Sequence, residues 1–165
     1  MSTAAAILVS IVVCILAATL EGICAGKNVK SYFVELRWPA YSAPLWVWYG
    51  IGGFYYLIFF FILYRVLRID RDSSLRLGTL GLILFMMAVN ALWNYVFFRA
   101  RNLFVAFIGS SLFPIFDIAL LLGLLRLDRI AAWALLPYLI YRIYGVWWGF
   151  GLWKLNGRSG SKFSS

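Results

Sequence analysis

The sequence predicts an all-α integral membrane protein built as a bundle of five transmembrane helices. Hydrophobic residues make up 64% of the 165 residues and charged residues only 13%, and the mean hydropathy is +0.89. A soluble domain typically carries a charged fraction of about 25%. The charges that are present separate apolar runs of roughly 20 residues, the length that crosses a bilayer. We therefore expect a multi-pass protein whose first partner is the lipid bilayer.

The charges divide the chain into five predicted spans within one domain, residues 1–156. The spans cover, to within a few residues, 4–25, 45–64, 77–98, 103–125 and 130–154. No basic residue precedes the first apolar run, which favours a retained helix over a cleaved signal peptide. Residues 157–165, rich in Gly and Ser, are expected to form a flexible tail. The loops on the two sides carry similar numbers of Lys and Arg, so the orientation and the membrane stay open.

The connection of residues 27–44 is the longest between predicted spans, and long loops are often functional. Two prolines within it fix φ and restrict the residues before them, which predicts a rigid, extended lid over part of its length. An interfacial anchor is the alternative, because the loop combines charges with aromatic residues. The residues expected to form the lid are Tyr32, Trp38, Pro39, Tyr41 and Pro44.

The residue types that are scarce exclude several kinds of chemistry. The chain has no histidine, the commonest metal ligand and general base near neutral pH, so we expect no metal site and no catalytic triad. Cys14 and Cys24 are separated by about 15 Å along a straight helix, which is beyond disulfide reach. The net charge of +9 comes from residues at the ends of apolar runs, which favours lipid headgroups over nucleic acid. No obligatory cofactor is indicated.

Two asparagines lie inside the third predicted span. Asn90 and Asn94 are one helical turn apart and therefore share a face. An amide in lipid must find a hydrogen-bond partner, so this face is expected to turn toward protein or toward a polar ligand group. Hydrogen bonding between helices is the purely structural alternative. Trp93 and Phe97 follow the neighbouring stripe of the same span.

The fourth and fifth spans each carry one charge, Asp117 and Arg142. A tight turn makes these spans antiparallel neighbours, and counting from the turn places the two residues about 4.5 Å apart in depth. We predict an ion pair between them, which lowers the cost of burying each charge. In a functional alternative, Arg142 also holds a ligand carboxylate, because a guanidinium binds that group bidentately. Either role makes Arg142 the unusual feature of an otherwise apolar, aromatic span.

Ordered motifs run through residues 32–156. In the long loop and the second span they are Tyr32-Phe33, Leu36, Pro39, Tyr41, Pro44, Trp46 and Tyr56; in the third span Val89-Asn90-Ala-Leu-Trp93-Asn94-Tyr-Val-Phe97-Phe98; and in the fifth Pro137-Tyr138-Leu139, Trp153-Lys154 and Asn156. By these motifs the chain resembles the TspO/MBR family, which comprises the tryptophan-rich sensory proteins of bacteria and the mitochondrial translocator protein, the peripheral benzodiazepine receptor.

The resemblance implies a five-helix bundle, often a homodimer, with a pocket capped by the first loop. It also implies that the pocket binds a porphyrin, haem or another tetrapyrrole, or a sterol-like lipid, as a ligand. Aromatic walls with a few polar groups suit such molecules. The residues expected to line the pocket are Trp46, Asn90, Trp93, Asn94, Phe97, Tyr138, Tyr141 and Arg142.

The chain departs from the family pattern at several positions. Gly52 and Tyr141 stand where the family usually has tryptophan, and Gly109 stands where it has aspartate. The family links those tryptophans to tetrapyrrole chemistry, so an enzyme that degrades tetrapyrroles is the least favoured hypothesis. The favoured one is a membrane protein that binds or senses tetrapyrroles or lipids and is not primarily an enzyme. The alternative is a structural or assembly subunit whose aromatic faces pack against other membrane proteins or pigments.

Overall fold

The computed structural model describes residues 1–70 and 74–157, and the regular secondary structure among them is helical, with no strand. The helices are α1 (Thr3–Ala25), α2 (Val29–Glu35), α3 (Leu45–Leu67), α4 (Ser74–Asn94), α5 (Leu103–Leu127) and α6 (Arg129–Asn156), with a π-helical turn, Tyr95–Arg99, continuing α4. All but α2 are long and apolar enough to cross a membrane. The predicted fold class, a five-helix integral membrane protein, is confirmed. Nearly all of the predicted tail, residues 158–165, lies outside the described residues.

The long helices alternate in direction, so the bundle has two ends with different interiors. At the end that holds the N-terminus, α3, α4, α5 and α6 pack a dense apolar core. Lipid tails are as apolar as leucine, so close van der Waals packing, and not transfer out of water, stabilises this core. Its fully buried members include Phe59, Ile62, Ile83, Leu120, Leu124 and Leu135. The opposite end contains an aromatic cluster around Phe97 and Trp148, and a cavity.

Part of the connection 27–44 is helical and the part that contains the two prolines is not, so an extended lid over part of the loop stays a prediction. Residues Val29–Glu35 form α2, because both prolines lie further along the chain and leave this stretch free to turn. Tyr32 anchors α2 by packing edge-on against Phe97, with 5.9 Å between the ring centroids. Residues 36–44, which contain the prolines, form no helix.

Residues 36–44 are fastened to the C-terminal half of α6. The Asn156 side chain exchanges two hydrogen bonds with the backbone of Arg37, each 2.9 Å long. The Tyr144 hydroxyl donates to the carbonyl of Tyr41 at 3.1 Å. These bonds satisfy backbone groups that would otherwise be left unpaired at the end of the bundle. The loop is therefore held against the helices.

Asp128 forms the turn between α5 and α6 and joins it to α3. Its Oδ1 accepts hydrogen bonds from the N–H groups of Ile130 (2.9 Å) and Ala131 (3.2 Å), which caps α6. Its Oδ2 accepts a 2.7 Å hydrogen bond from Nε of Arg65. Burial raises the pKa of this carboxyl, but the hydrogen bonds from Arg65 and from the backbone outweigh burial and hold the pKa below its usual value.

We expect Asp128→Ala to lower the free energy of unfolding by about 1–2 kcal/mol, the usual effect of losing an N-cap. The folded-state pKa lies below the unfolded one, so the carboxylate stabilises the protein above about pH 4, and this contribution is lost as the pH falls through the folded pKa. Thermal unfolding in mixed micelles at pH 7 and pH 3 measures both effects. Asn102→Ala is the matched control, because Asn102 caps α5 with a neutral side chain. An equal pH dependence in both variants would contradict the prediction.

Candidate ligand-binding cavity

A cavity of about 490 Å³ lies inside the bundle, between the C-terminal parts of α1, α4 and α6 and the N-terminal half of α3. Small-molecule sites usually have volumes of about 300–1,000 Å³. Aromatic side chains supply much of the wall, namely Phe33, Trp48, Tyr49, Tyr55, Tyr56, Trp93, Phe97, Phe98, Tyr138, Tyr141 and Trp148. The cavity therefore offers flat apolar surfaces on several sides.

The aromatic walls are held by contacts between helices. Trp93 stacks on Phe97 with 4.9 Å between ring centroids, and Trp48 lies 4.4 Å from Trp148 across α3 and α6. The indole N–H of Trp93 donates to the carbonyl of Ala106 on α5 at 2.9 Å. Because these rings are fixed by packing or by a hydrogen bond, this part of the wall is preformed.

Arg142 and Asp117 meet inside the bundle. Nε of Arg142 lies 3.2 Å from Oδ2 of Asp117, and the two side chains are 13% and 2% exposed. The guanidinium also lies over the Phe113 ring, 4.0 Å from its centroid, and 5.4 Å from the centroid of Tyr138. Arg142 lines the cavity, whereas Asp117 lies behind it. The structure thus brings the two predicted partners together, with the cation on the cavity side.

A second polar group forms where α1 faces α3 and α4. The Glu21 carboxylate accepts hydrogen bonds from the Tyr56 hydroxyl at 2.6 Å, from Asn90 Nδ2 at 3.2 Å and from Asn94 Nδ2 at 3.0 Å. We call these four residues the Glu21 cluster, and all four line the cavity. The two asparagines therefore find their partner in protein, on the first helix.

Three buried polar atoms have no hydrogen-bond partner within the described part of the chain. They are Tyr55 Oη, Asp117 Oδ1 and Arg142 Nη2. Tyr55 and Arg142 belong to the cavity wall. Buried polar atoms are normally paired, and two of these three, Arg142 Nη2 and Asp117 Oδ1, belong to the two members of one ion pair.

Seven of the eight predicted pocket residues line the cavity, namely Asn90, Trp93, Asn94, Phe97, Tyr138, Tyr141 and Arg142. Trp46 is not part of the cavity wall, and its side chain is 74% exposed. Trp48 takes its place in the wall. Residues two apart in a helix point about 200° away from each other, so one of these two tryptophans must face outward.

The five predicted lid residues are absent from the cavity wall. Tyr32, Trp38, Pro39, Tyr41 and Pro44 instead connect the loop to the rest of the bundle, and Phe33 and Val29 of α2 reach the cavity. Tyr32 is buried against Phe97, and this burial raises the pKa of its hydroxyl, with Arg101 acting in the opposite direction. Trp38 stacks on Phe33 with 3.8 Å between centroids. The part of the connection that reaches the cavity is therefore α2, a helix that the sequence analysis did not predict.

Glycines widen the cavity on two helices. Gly52 and Gly145 both line it, and a Cβ built on Gly52 meets no atom within 4 Å. At Gly149 a Cβ would lie 3.9 Å from Phe107, which is ordinary contact with α5. On this face of α6, Arg142 and Gly145 therefore line the cavity, whereas Gly149, one turn further along, lies against α5.

Glu21 and Tyr55 are two polar residues of the cavity that the sequence did not reveal as such. Glu21 was informative only as the end of the first span, and Tyr55 lies in an unbroken apolar run. Glu21 lies directly before a segment with small residues, Gly22–Gly26, and that position was the one sign in the sequence that it faces a neighbouring helix or a cavity. In the described residues, no three His, Cys, Asp or Glu side chains form a group that could hold a metal ion.

The fold and the cavity define a class, namely polytopic membrane proteins with five long helices and a cavity between them. The family model for the TspO/MBR family matches residues 10–154, which is most of the chain. The chain therefore belongs to the TspO/MBR family, and the match extends the resemblance into α1. No curated protein matches the chain.

Proposed function

We propose that this protein binds a flat, largely apolar ligand in the cavity, either a tetrapyrrole such as a porphyrin or haem, or a sterol-like lipid. The observation that carries the proposal is the cavity of about 490 Å³ with walls built largely of aromatic rings. Stacking and edge contacts of such rings favour planar partners by about 0.5–1.5 kcal/mol per ring pair beyond burial alone. Membership of the TspO/MBR family supports the same class of ligand.

Arg142 orients the ligand in this proposal. Arg142 lines the cavity and uses its Nε toward Asp117, so the guanidinium has further N–H groups that can donate to a ligand oxygen. A carboxyl group of a tetrapyrrole supplies that acceptor. Asp117 holds the guanidinium from behind, which fixes its direction at low entropic cost. Binding, not degradation, is the proposed activity, since Gly52 and Tyr141 replace tryptophans of the family pattern.

Titration with protoporphyrin, followed by quenching of tryptophan fluorescence, tests the proposal. We expect saturable binding, because Trp48, Trp93 and Trp148 lie in the cavity wall. Arg142→Ala combined with Asp117→Ala removes the donor without leaving an unpaired charge, and we expect it to weaken binding by about tenfold or more, since hydrogen bonds to charged groups contribute about 1.5–3 kcal/mol.

The control for this titration is Glu35→Ala combined with Arg101→Ala, which removes an exposed ion pair away from the cavity. It should leave protoporphyrin affinity unchanged. Absence of saturable binding, or equal affinity in both double variants, contradicts the proposal. Partner proteins that co-purify in mild detergent, together with no protoporphyrin binding, support the assembly-subunit alternative instead. The homodimer that the resemblance implies stays a prediction, which the mass of the protein–detergent complex tests in the same preparation.

A further inference from the structure

A second concave surface lies beside the ligand-binding cavity, at the end of the bundle where α1 ends. It is an open groove of about 680 Å³ between the last turns of α1 and the π-helical turn Tyr95–Arg99. Lys27, Arg99 and Arg101 line it, and within the described part of the chain no acidic residue does. We call this surface the basic groove. Because like charges repel, three cations around one groove favour an anion between them.

The positive charges of the basic groove are only partly balanced by the protein. Nη1 of Arg101 lies 2.9 Å from Oε2 of Glu35, and its guanidinium lies 4.8 Å from the centroid of the Tyr32 ring. No described acidic side chain forms an ion pair with Lys27 or Arg99. The C-terminus of α1 contributes only about half a negative elementary charge. An anion is therefore needed to neutralise these two cations.

The two unbalanced cations come from different segments of the chain. Lys27 follows Gly26, the residue that ends α1, and Arg99 is the last residue of the π-helical turn. Gly26 has a φ of 75°, which glycine adopts without strain. A Cβ built on Gly26 would lie 4.0 Å from Cδ of Arg99, so the arginine side chain lies close to the end of α1. One anion in the groove would thus bind both segments.

The basic groove also has an apolar side that continues toward the bilayer. Two candidate membrane spans, Thr3–Ala25 and Ser74–Arg99, both end at the groove, which is therefore expected at the level of the lipid headgroups. Ile23, which is 63% exposed, lines the groove. Leu16 and Leu20 are exposed on the same face of α1, at spacings of seven and three residues before Ile23. A cationic site above an apolar stripe matches a phosphate group above an acyl chain.

We propose that the basic groove binds an anionic phospholipid. The phosphate oxygens accept hydrogen bonds from Lys27 and Arg99, and Arg101 adds positive charge beside them. An acyl chain of the same lipid lies along the apolar stripe of α1. The lipid thereby joins the end of α1 to the end of the π-helical turn. This site takes a ligand of its own and does not depend on what the neighbouring cavity binds.

Two lipids with the same short acyl chains test the proposal, dioctanoyl phosphatidylglycerol and dioctanoyl phosphatidylcholine, each added to the protein in a neutral detergent. Native mass spectrometry counts the bound lipids and gives the affinity of the first one. We expect phosphatidylglycerol to bind about tenfold more tightly, because its headgroup has a net negative charge, whereas choline neutralises that of the other lipid. In Lys27→Gln combined with Arg99→Gln, the ratio of the two affinities should fall close to one.

Arg37→Gln combined with Lys154→Gln is the matched control. It removes the same charge from exposed residues at the same end of the bundle, outside the groove, and should keep the native ratio. Thermal unfolding without lipid verifies that both double variants are folded. The proposal is overturned if native protein binds both lipids equally, or if the two double variants lose the preference to the same extent, since overall charge would then explain it.

Competition with inorganic phosphate separates a lipid site from a site for a small anion. Sodium phosphate, compared with sodium chloride at equal ionic strength, should leave phosphatidylglycerol affinity unchanged, because phosphate makes no contact with the apolar stripe. Equal ionic strength keeps the screening of charges the same in both samples. Displacement of the lipid by phosphate but not by chloride would assign the groove to a small anion and overturn the proposal.

Discussion

Arg142→Ala is expected to lower the free energy of unfolding by about 3–5 kcal/mol, the usual result of leaving one charge of a buried pair alone. The substitution removes the guanidinium that lies 3.2 Å from Asp117 and leaves a carboxylate that is 2% exposed. Oδ1 of the same carboxylate already lacks a hydrogen-bond partner among the described residues, so no described group replaces the arginine. Reversible unfolding in bicelles, followed by far-UV circular dichroism, measures the loss.

Two further variants make this result specific. Arg142→Met combined with Asp117→Leu removes both charges, and we expect it to recover most of the lost stability, because apolar replacement of a buried pair is often neutral. Glu35→Ala breaks the pair with Arg101, whose side chains are 53% and 45% exposed, and should cost no more than about 1 kcal/mol. If Arg142→Ala and Glu35→Ala lowered the free energy of unfolding equally, the prediction that the buried pair stabilises the fold more than the exposed pair would be wrong.

Gly52→Phe is expected to weaken protoporphyrin binding by at least about tenfold, or about 1.4 kcal/mol, with little change in stability. Gly52 lines the cavity, and a Cβ there meets no atom within 4 Å, so the new ring enters the space that a ligand would occupy. Phenylalanine also has a higher helix propensity than glycine, so the helix itself gains slightly. Fluorescence titration gives the affinity and thermal unfolding gives the stability.

Gly81→Phe is the matched control for the cavity-filling variant. Gly81 lies in the interior of α4, where a Cβ also meets nothing within 4 Å, but it is exposed and away from the cavity. We expect Gly81→Phe to leave protoporphyrin affinity unchanged. Unchanged affinity in Gly52→Phe, with the protein still folded, would place the ligand elsewhere on the molecule.

The spans and the family were predictable because each depends on local sequence. A bilayer sets a single length, and the charges mark where an apolar run can no longer stay in lipid. The connection 27–44 was only partly predictable. Its prolines indicated where no helix forms, whereas α2 is stabilised by Tyr32 packing on Phe97, a contact with a residue far along the chain.

Residues of the cavity were predictable from the sequence where a polar or charged side chain could not face lipid. Arg142 and Asn94 had to face protein, since lipid offers neither of them a partner. Trp46 had no such constraint, because an indole is as stable at the lipid interface as in a pocket. The choice between Trp46 and Trp48 depended on how α3 is rotated against α6, and that rotation follows from packing along the whole helix.

The sequence by itself determined that this chain crosses a membrane five times, that it belongs to the TspO/MBR family, and that its few intramembrane polar residues need partners. Only the tertiary structure decided which partners they have. It joined Glu21 to Asn90 and Asn94, left the Tyr55 hydroxyl without a partner among the described residues, and placed all four residues on the wall of one cavity. The reason is physical: hydropathy specifies how deep a residue lies along the membrane normal, whereas helix rotation and neighbour choice come from close packing between distant segments.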